Sequence, residues 1–383
     1  MRDLKFKVMS WMILVGGVLA FLPGFLPFRT GKILIVEFAL FTAIALLFIK
    51  NIWIRLFLLW CILRVILGIN QYSQLSLHLL VFVLVFYQIL TDKLNKDRVV
   101  HLLNIVCVIA ILQTIMVILQ RCGIWWTILP IGYKEAASIS YFKNSLLPLF
   151  IFRPPINIDS IGGFVGDTNT ASALLGMCLP AFFRKKWHWF IPLILIGFFI
   201  IHAFGGIVAG TVALIVFLIF KFGKRSLYGI IPTGLLFIAY FIRFENLQNI
   251  FISGSNRFEV WRFYIQHLIP KRWIIGWGLG QGEFLWPIIE KETSFKNVMY
   301  WHSHNEIITM TAELGLIGLV IICGYFFTTF KKLKDPVIIC GLIACLTASL
   351  SIFTFHSAIG LILIVYMAIA HYQLLTNKEV SNV

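Results

Sequence analysis

Charged residues are scarce in this chain, where they make up 13% of the 383 residues. A soluble domain has about 25% charged and about 45–50% apolar residues, whereas the apolar share here is 60%. The shortage of charge excludes a soluble enzyme, a secreted disulfide scaffold and a disordered chain. The composition instead predicts a polytopic α-helical membrane protein, and the 15% of aromatic residues suits lipid-facing walls and interfacial belts.

Closely spaced cysteines are missing from the sequence, and acidic residues are few. The seven cysteines show no C-x-x-C spacing, so neither a zinc site nor a disulfide framework is predicted. Lysine and arginine number 32 against 16 aspartates and glutamates, which gives a net charge of +16. In a membrane protein such an excess usually collects in cytoplasmic loops and sets the orientation. We therefore expect the positive charge to reflect insertion in a lipid bilayer, and we expect no nucleic-acid partner.

Apolar runs long enough to cross a bilayer recur along the chain. A spanning helix needs about 20 mostly apolar residues, with roughly 17–25 tolerated. Twelve stretches qualify, of which the sixth is short, and they predict one integral domain over residues 1–383. No small-residue cleavage site is obvious after the first stretch, which we interpret as an anchor and not as a cleaved signal peptide. The stretches are 8–28, 33–49, 52–69, 75–91, 99–119, 170–183, 187–204, 207–222, 226–242, 305–330, 336–355 and 358–374.

Lysine and arginine clusters in alternate loops predict the orientation. Four clusters lie around residues 93–98, 184–186, 221–225 and 331–334. The positive-inside rule places these loops, and with them both chain termini, in the cytoplasm. Two long segments, 120–169 and 243–304, then face outward. Loops on a rigid scaffold often carry function, so we look for a site in these two segments.

The second outward segment interleaves charged and aromatic residues. Arg257, Trp261 and Tyr264 follow the i, i+4, i+7 spacing that places side chains on one face of a helix. Two interpretations stay open: an interfacial helix with snorkelling arginines, or a helix that carries a binding site. The glycine-rich stretch 276–282 could approach a phosphate through bare N–H groups. A tight re-entrant turn is favoured, because the strand–helix context of a nucleotide-binding loop is missing.

The densest polar cluster is His302-Ser303-His304-Asn305-Glu306, at the outer end of the tenth stretch. Histidine is the usual general base for an alcohol near neutral pH. Metal binding is disfavoured because the outward segments offer no good further ligands, and two plain interfacial histidines are the third interpretation. Within the stretches, Glu313 and Arg64 are costly in hydrocarbon, which favours a functional or pairing role. Arg64 could pair with Glu37, with Glu313 or with a ligand phosphate.

His304-Asn305 is followed after nine residues by Gly315 and then by Gly318. This spacing fits the O-antigen ligase pattern H-[N/S/Q]-x9-G-x-x-[G/T/Y], and residues 160–320 resemble the O-antigen ligases and the related O-antigen polymerases and O-oligosaccharyltransferases. Many members carry Ser-Arg-Gly at the start of the eighth span, where this chain has no arginine. Further similar segments are Ser255-Asn256-Arg257 with Trp261, Gly276-Trp277-Gly278-Leu279-Gly280, and Asp167-Thr168-Asn169 with Ala171 and Pro180.

The resemblance implies a metal-independent glycosyltransferase without a cofactor, in the bacterial inner (cytoplasmic) membrane, with its site on the periplasmic side. Its donor would be a glycan linked to undecaprenyl diphosphate. The acceptor would be lipid A–core for a ligase, the favoured interpretation, or a second lipid-linked glycan for a polymerase. A transporter of lipid-linked glycans is the outside alternative, which the few ionisable residues within the spans disfavour.

The resemblance also implies roles for individual residues. His304 would be the catalytic base. Arg257 would bind the diphosphate, with Arg262 or Arg64 as the second ligand. Asn305 or Glu306 would fix the tautomer of the imidazole. The supporting residues would be Asn305, Glu306, Glu313, Gly315, Gly318, Trp261 and Asn169.

Overall fold

The computed structural model is mostly helical in the residues that it describes. Among the described residues, three helices are long and apolar enough to cross a membrane: Lys96–Arg121, Phe204–Phe222 and Glu306–Lys332. This agrees with the predicted class of helical membrane protein. The described residues are 4, 6–8, 10–11, 14, 51–67, 87, 94–122, 124–126, 150–152, 161–165, 168–201, 203–226, 257–258, 260–278, 303–351 and 359–376.

Eight α-helices and several short turns of helix lie in these ranges. The α-helices are α1 (Ile52–Leu67), α2 (Lys96–Arg121), α3 (Thr168–Cys178), α4 (Ile191–Ile201), α5 (Phe204–Phe222), α6 (Glu306–Lys332), α7 (Pro336–Ala348) and α8 (Gly360–Thr376). Turns of 3-10 helix span Gly163–Val165, Leu179–Phe183, His188–Phe190, Gly223–Ser226 and Pro270–Arg272, and a π-helix spans Tyr264–Leu268.

Eight of the twelve predicted spans overlap these helices. The other four, 8–28, 33–49, 75–91 and 226–242, lie outside the described residues except at single positions. The count of twelve and the orientation therefore stay predictions. The sixth predicted span begins as α3 but continues as the 3-10 helix Leu179–Phe183, which has Pro180 near its start. Proline lacks the backbone N–H that an uninterrupted α-helix needs.

The centre of the bundle is made by α3, α5 and α7, which pack closely on one another. The buried face of α5 is formed mostly by small residues, which let neighbouring backbones approach. The hydroxyl of Ser172 on α3 donates to the Ala203 carbonyl at 2.7 Å, just before α5 begins. On another side of the bundle, α6 packs against α1. This second helix pair supports the candidate site.

A short antiparallel ladder joins β1 (Ile124–Trp126) to β2 (Phe150–Phe152), with Trp125 opposite Ile151. It lies in the first outward segment, and the sequence analysis did not predict it.

Two buried glutamines of α2 bind the end of the same segment. The Gln113 side chain binds the Gly162 carbonyl at 2.9 Å and the Phe164 N–H at 3.0 Å. The Gln120 side chain binds the N–H and the carbonyl of Gly163. We call this arrangement the glutamine clasp.

Candidate functional site

Asn305 begins α6 as its N-cap. Its backbone is extended, with φ −147°, and its side-chain oxygen accepts from the N–H groups of Ile307 at 3.0 Å and Ile308 at 3.2 Å. An N-cap side chain satisfies amide groups that the first turn of a helix leaves without partners. The conformation of the loop before α6 is thereby set by the residue that follows His304.

Ser303 is the polar centre of the same loop. Its buried hydroxyl lies 2.7 Å from the Asn305 carbonyl oxygen and 2.8 Å from the Thr309 hydroxyl, and it accepts from the Asn305 N–H at 3.1 Å. The N–H of Glu306, whose side chain is also buried, donates to the Ser349 carbonyl at 2.8 Å. The loop is therefore bonded to the first turn of α6 and to the end of α7.

His304 sits between Ser303 and Asn305 with a φ of 53°. A positive φ is uncommon for a residue with a Cβ, although histidine adopts it more often than most. Unlike the residues on either side, His304 is partly exposed. Such strained residues persist where the surroundings fix them, and they concentrate at functional sites. The loop thus presents one imidazole on a backbone held on both sides, and we call residues 303–305 the histidine loop.

Trp261 connects the histidine loop to the second outward segment. Its indole N–H donates to the Ser303 carbonyl at 2.6 Å. The segment is helical at 257–258 and 260–263, and its buried side chains pack against Ala312 and Ile308 of α6. These side chains are Val260, Phe263, Tyr264 and Leu268. The buried face of the segment therefore packs against α6.

Helical geometry separates the two arginines of this segment. Successive residues are rotated by about 100° around a helix axis, so residues four apart lie nearly one above the other. Arg257 therefore shares a face with Trp261, which touches the histidine loop. Arg262 lies about a quarter-turn away, is exposed, and its Nε lies 3.2 Å from Gln266 Oε1. Arg257 is the better placed of the two arginines for action near His304.

Tyr264 is a buried residue of the site to which the sequence analysis gave no role beyond its helix face. Its hydroxyl has no hydrogen-bond partner among the described residues. Burial raises the pKa of its phenol, and the negative charge of Glu313 raises it further. Since both effects act in the same direction, Tyr264 stays neutral over the physiological pH range.

A break in α6 accepts the glycine-rich stretch. Gly315 has φ 68°, which interrupts the helix. At this break the N–H groups of Trp277 and Gly278 donate to the carbonyls of Ala312 and Glu313, both at 2.8 Å. In return, the N–H groups of Leu316 and Ile317 donate to the carbonyls of Trp273 and Ile274, at 2.8 and 3.3 Å. The stretch 273–278 thus packs as a tight turn whose backbone fills the break.

Two glycines lie close together at the break. A Cβ on Gly276 would collide with the Glu313 carbonyl and the Gly315 nitrogen, and a Cβ on Gly315 would collide with the Ile274 carbonyl. Gly276 also has a positive φ, of 72°. Glycine is the residue that tolerates both conditions. The Gly315 of the ligase-like pattern therefore has a structural reason here, and we call this contact the glycine crossing.

Two side chains of α1 bind backbone carbonyls at the glycine crossing. The Nη2 of Arg64 donates to the Gly276 carbonyl at 2.7 Å, and the indole N–H of Trp60 donates to the Leu314 carbonyl at 2.8 Å. Arg64 is only 2% exposed. Trp60, like Thr309, was missed by the sequence analysis, which named Ser303 only as a member of the polar cluster. The only available signal was its position one helical turn before Arg64.

The remaining predicted residues are distributed unevenly. Glu313 and Gly318 are buried on α6, next to the break and one turn beyond it. Asn169 is exposed on the first turn of α3, a helix that packs against α2, α4, α5 and α7. Within the described ranges, no group of three or more His, Cys, Asp or Glu side chains is arranged to hold a metal ion. The structure thus gathers most predicted residues around α1, α6 and residues 257–278.

Replacing Trp261 with phenylalanine should loosen the histidine loop. The change keeps an aromatic ring but removes the N–H that binds Ser303, a bond with a net value of about 0.5–1.5 kcal/mol. We expect faster amide hydrogen exchange at residues 303–309. Trp187→Phe is the matched control, since it removes an indole N–H bound to Asn104 elsewhere in the bundle. Equal exchange at 303–309 in both variants would mean that Trp261 does not hold the loop.

Comparison with known proteins gives a distant similarity. A "Putative polysaccharide ligase" of Rickettsia conorii (strain ATCC VR-613 / Malish 7) is 25% identical over 137 residues. The chain is distantly similar to this protein. The match covers 32% of this chain and 33% of that protein, so the chain spans about a third of the length of this curated relative. No protein-family profile matches the chain.

Proposed function

We propose that this chain is a membrane glycosyltransferase that moves a glycan from undecaprenyl diphosphate to an acceptor hydroxyl. The favoured reaction is that of an O-antigen ligase, with lipid A–core as the acceptor, at the periplasmic face of the bacterial inner membrane. The observation that carries the proposal is the histidine loop, where His304 is held at a positive φ by bonds on both sides. The ligase-like pattern and the similarity to a polysaccharide ligase support it.

His304 is the proposed general base. As the acceptor oxygen attacks the anomeric carbon of the donor sugar, its proton passes to the imidazole. The bond from that carbon to the diphosphate oxygen breaks, and undecaprenyl diphosphate leaves with the bonding electron pair. Direct displacement of this kind inverts the anomeric carbon. A positioned base of suitable pKa contributes about 10²–10⁴-fold to such a step.

Arg257 is the proposed main ligand of the diphosphate, with Arg262 as the second. The leaving diphosphate carries negative charge that arginine forks bind through two parallel N–H bonds. In a site with little water, stabilisation of developing charge is often the largest catalytic contribution. The helix face that Arg257 shares with Trp261, whose indole binds the histidine loop, supports this assignment. These arginines would supply the charge that a metal ion supplies in other transferases.

Exposed apolar side chains around the segment suit a lipid donor. Phe258 is 64% exposed and Ile265 54%, Trp273 and Ile274 are exposed later in the same segment, and Ile307 is exposed just after the histidine loop. Exposed apolar groups of this kind are stable against hydrocarbon and unfavourable in water. We infer that the undecaprenyl chain approaches the histidine loop along this apolar surface.

Arg257→Lys should reduce transfer strongly, because an ammonium keeps the charge but cannot form the two-pronged contact. The loss of one charge-assisted bond, about 1.5–3 kcal/mol, corresponds to roughly ten- to a hundredfold in rate. Arg262→Lys should reduce the transfer rate less, since Arg262 lies about a quarter-turn around the helix from the face of Arg257 and Trp261. Arg225→Lys, at an exposed position in a short 3-10 helix, is the control. An Arg257→Lys enzyme as active as the Arg225→Lys enzyme would argue against the two-pronged contact.

The experiment that tests the function uses purified protein and a glycan linked to undecaprenyl diphosphate, with and without lipid A–core. A single larger product that forms only with lipid A–core supports the ligase reaction. A ladder of longer lipid-linked chains without another acceptor indicates the polymerase, the second candidate within the resemblance. Absence of both products across several glycans contradicts the transferase, and a transport assay with the lipid-linked glycan would follow.

A further inference from the structure

The guanidinium of Arg64 is poorly accessible to a diphosphate ligand. Its side chain is 2% exposed, and its Nη2 is bound to the Gly276 carbonyl. Its Nε is buried without a hydrogen-bond partner among the described residues. A two-pronged phosphate contact needs two adjacent N–H groups that face the ligand. One guanidinium nitrogen of Arg64 is already committed to the protein backbone.

The contacts of Arg64 lead to the histidine loop along two routes. In the first, Gly276 lies within the stretch 273–278, which is bonded to the carbonyls of Ala312 and Glu313 on α6. The helical turns from Glu306 to Leu314 then connect this point directly to the loop. In the second, the chain runs back from Gly276 through residues 260–275 to Trp261, which binds Ser303. The first half of α6 is therefore fastened at both ends by one continuous segment.

We propose that Arg64 is a positioning residue that fixes the histidine loop by holding Gly276 in the break of α6. It acts on His304 through the protein and not on the diphosphate. The proposal rests on the proposed function for its catalytic meaning, since His304 matters as a base only if transfer occurs. Its structural content, that Arg64 determines the order of the loop, stands independently of any substrate.

The test compares Arg64→Met with Arg55→Met, a control that removes an arginine from the same helix. Three quantities are measured: the transfer rate, the affinity for undecaprenyl diphosphate, and amide exchange at residues 303–309. We expect Arg64→Met to lower kcat about tenfold, as loss of a charged hydrogen bond implies, with the affinity unchanged within about twofold. Exchange at Ile307, Ile308 and Thr309 should accelerate. The control should change none of the three.

A conservative variant protects the test against a folding defect. Arg64→Lys keeps a charge and a donor on α1, and one donor is sufficient for the single carbonyl of Gly276. A positioning residue is then partly rescued, with slower exchange and a higher kcat than Arg64→Met. A two-pronged ligand of the diphosphate would not be rescued.

Two results would overturn the proposal. The first is weaker binding of undecaprenyl diphosphate by Arg64→Met with unchanged exchange at 303–309, which would assign Arg64 to the ligand. The second is unchanged exchange together with unchanged kcat. If the wild-type protein transfers no glycan, the proposed function fails. The exchange measurement still decides whether Arg64 orders the loop.

Discussion

Replacing His304 with alanine is expected to abolish glycan transfer while the protein remains folded and inserted. The imidazole is the proposed acceptor of the hydroxyl proton, and loss of a general base costs about 10²–10⁴-fold in rate. His304 is partly exposed, and its neighbours Ser303 and Asn305 are buried. The hydrogen bonds that hold the loop are made by Ser303, Asn305 and Trp261. Its removal therefore leaves those bonds intact. The measurement is the transfer rate with the lipid-linked donor, beside thermal unfolding in detergent.

Two variants separate the loss of the base from damage to the backbone. His304→Asn places a residue that tolerates a positive φ at the same position, so its stability should equal that of the wild type while transfer is lost. His267→Ala removes an exposed histidine from the neighbouring segment and should leave transfer unchanged. Near-normal transfer by the His304→Ala or the His304→Asn variant would exclude the general-base role.

Replacing Gly315 with alanine should destabilise the protein more than any other single change considered. At φ 68° and ψ −172°, a backbone region that essentially only glycine adopts, a Cβ carries a cost of about 1–3 kcal/mol. Here the Cβ would also meet the Ile274 carbonyl, part of a backbone that cannot rotate away. Overpacking adds about 1–3 kcal/mol, so a total of roughly 4 kcal/mol is expected. The stretch 273–278 should be expelled from the break, and the midpoint temperature of thermal unfolding should fall by several degrees.

Gly223→Ala provides a matched control for this prediction. Gly223 has nearly the same φ, 66°, but a Cβ there would meet nothing within 4 Å. Only the backbone cost should appear at Gly223, so the difference between the two variants measures the crowding at the glycine crossing. If both variants unfold at the same temperature, the crossing contributes no packing cost. The close contact of Gly276 with Gly315 would then be unimportant for stability.

Sequence patterns predicted the helices better than their interruptions. Backbone polar groups must be satisfied internally in lipid, so a long apolar run has little alternative to a helix. This is why residues 99–119 and 305–330 were correctly read as helical. A hydropathy profile does not detect the break at Gly315, because Leu314 and Leu316 on either side of it are equally apolar. Whether Gly315 continues a helix or interrupts it depends on Gly276, some forty residues earlier in the chain.

The site shows the same division between local and distant information. The spacing of His304, Gly315 and Gly318 is local and could be recognised in the sequence. The face shared by Arg257 and Trp261 followed from helical periodicity. The bonds that hold the loop join residues far apart in the chain, as with Trp261 and Ser303 or Trp60 and Leu314. Single-sequence patterns carry no information about such pairings, so the bond of Arg64 to a backbone carbonyl could not be foreseen.

The glutamine clasp has a consequence for how this chain can diversify. Gln113 and Gln120 bind only peptide groups of residues 162–164, and the side chains of that segment make no part of these four bonds. The chain leaves α2 after Arg121 and returns to the same helix at the clasp. The four bonds of the clasp therefore make no demand on the side chains of the intervening residues 123–161. Natural variation or laboratory grafting can change the sequence between α2 and the clasp while these four bonds to the backbone are kept.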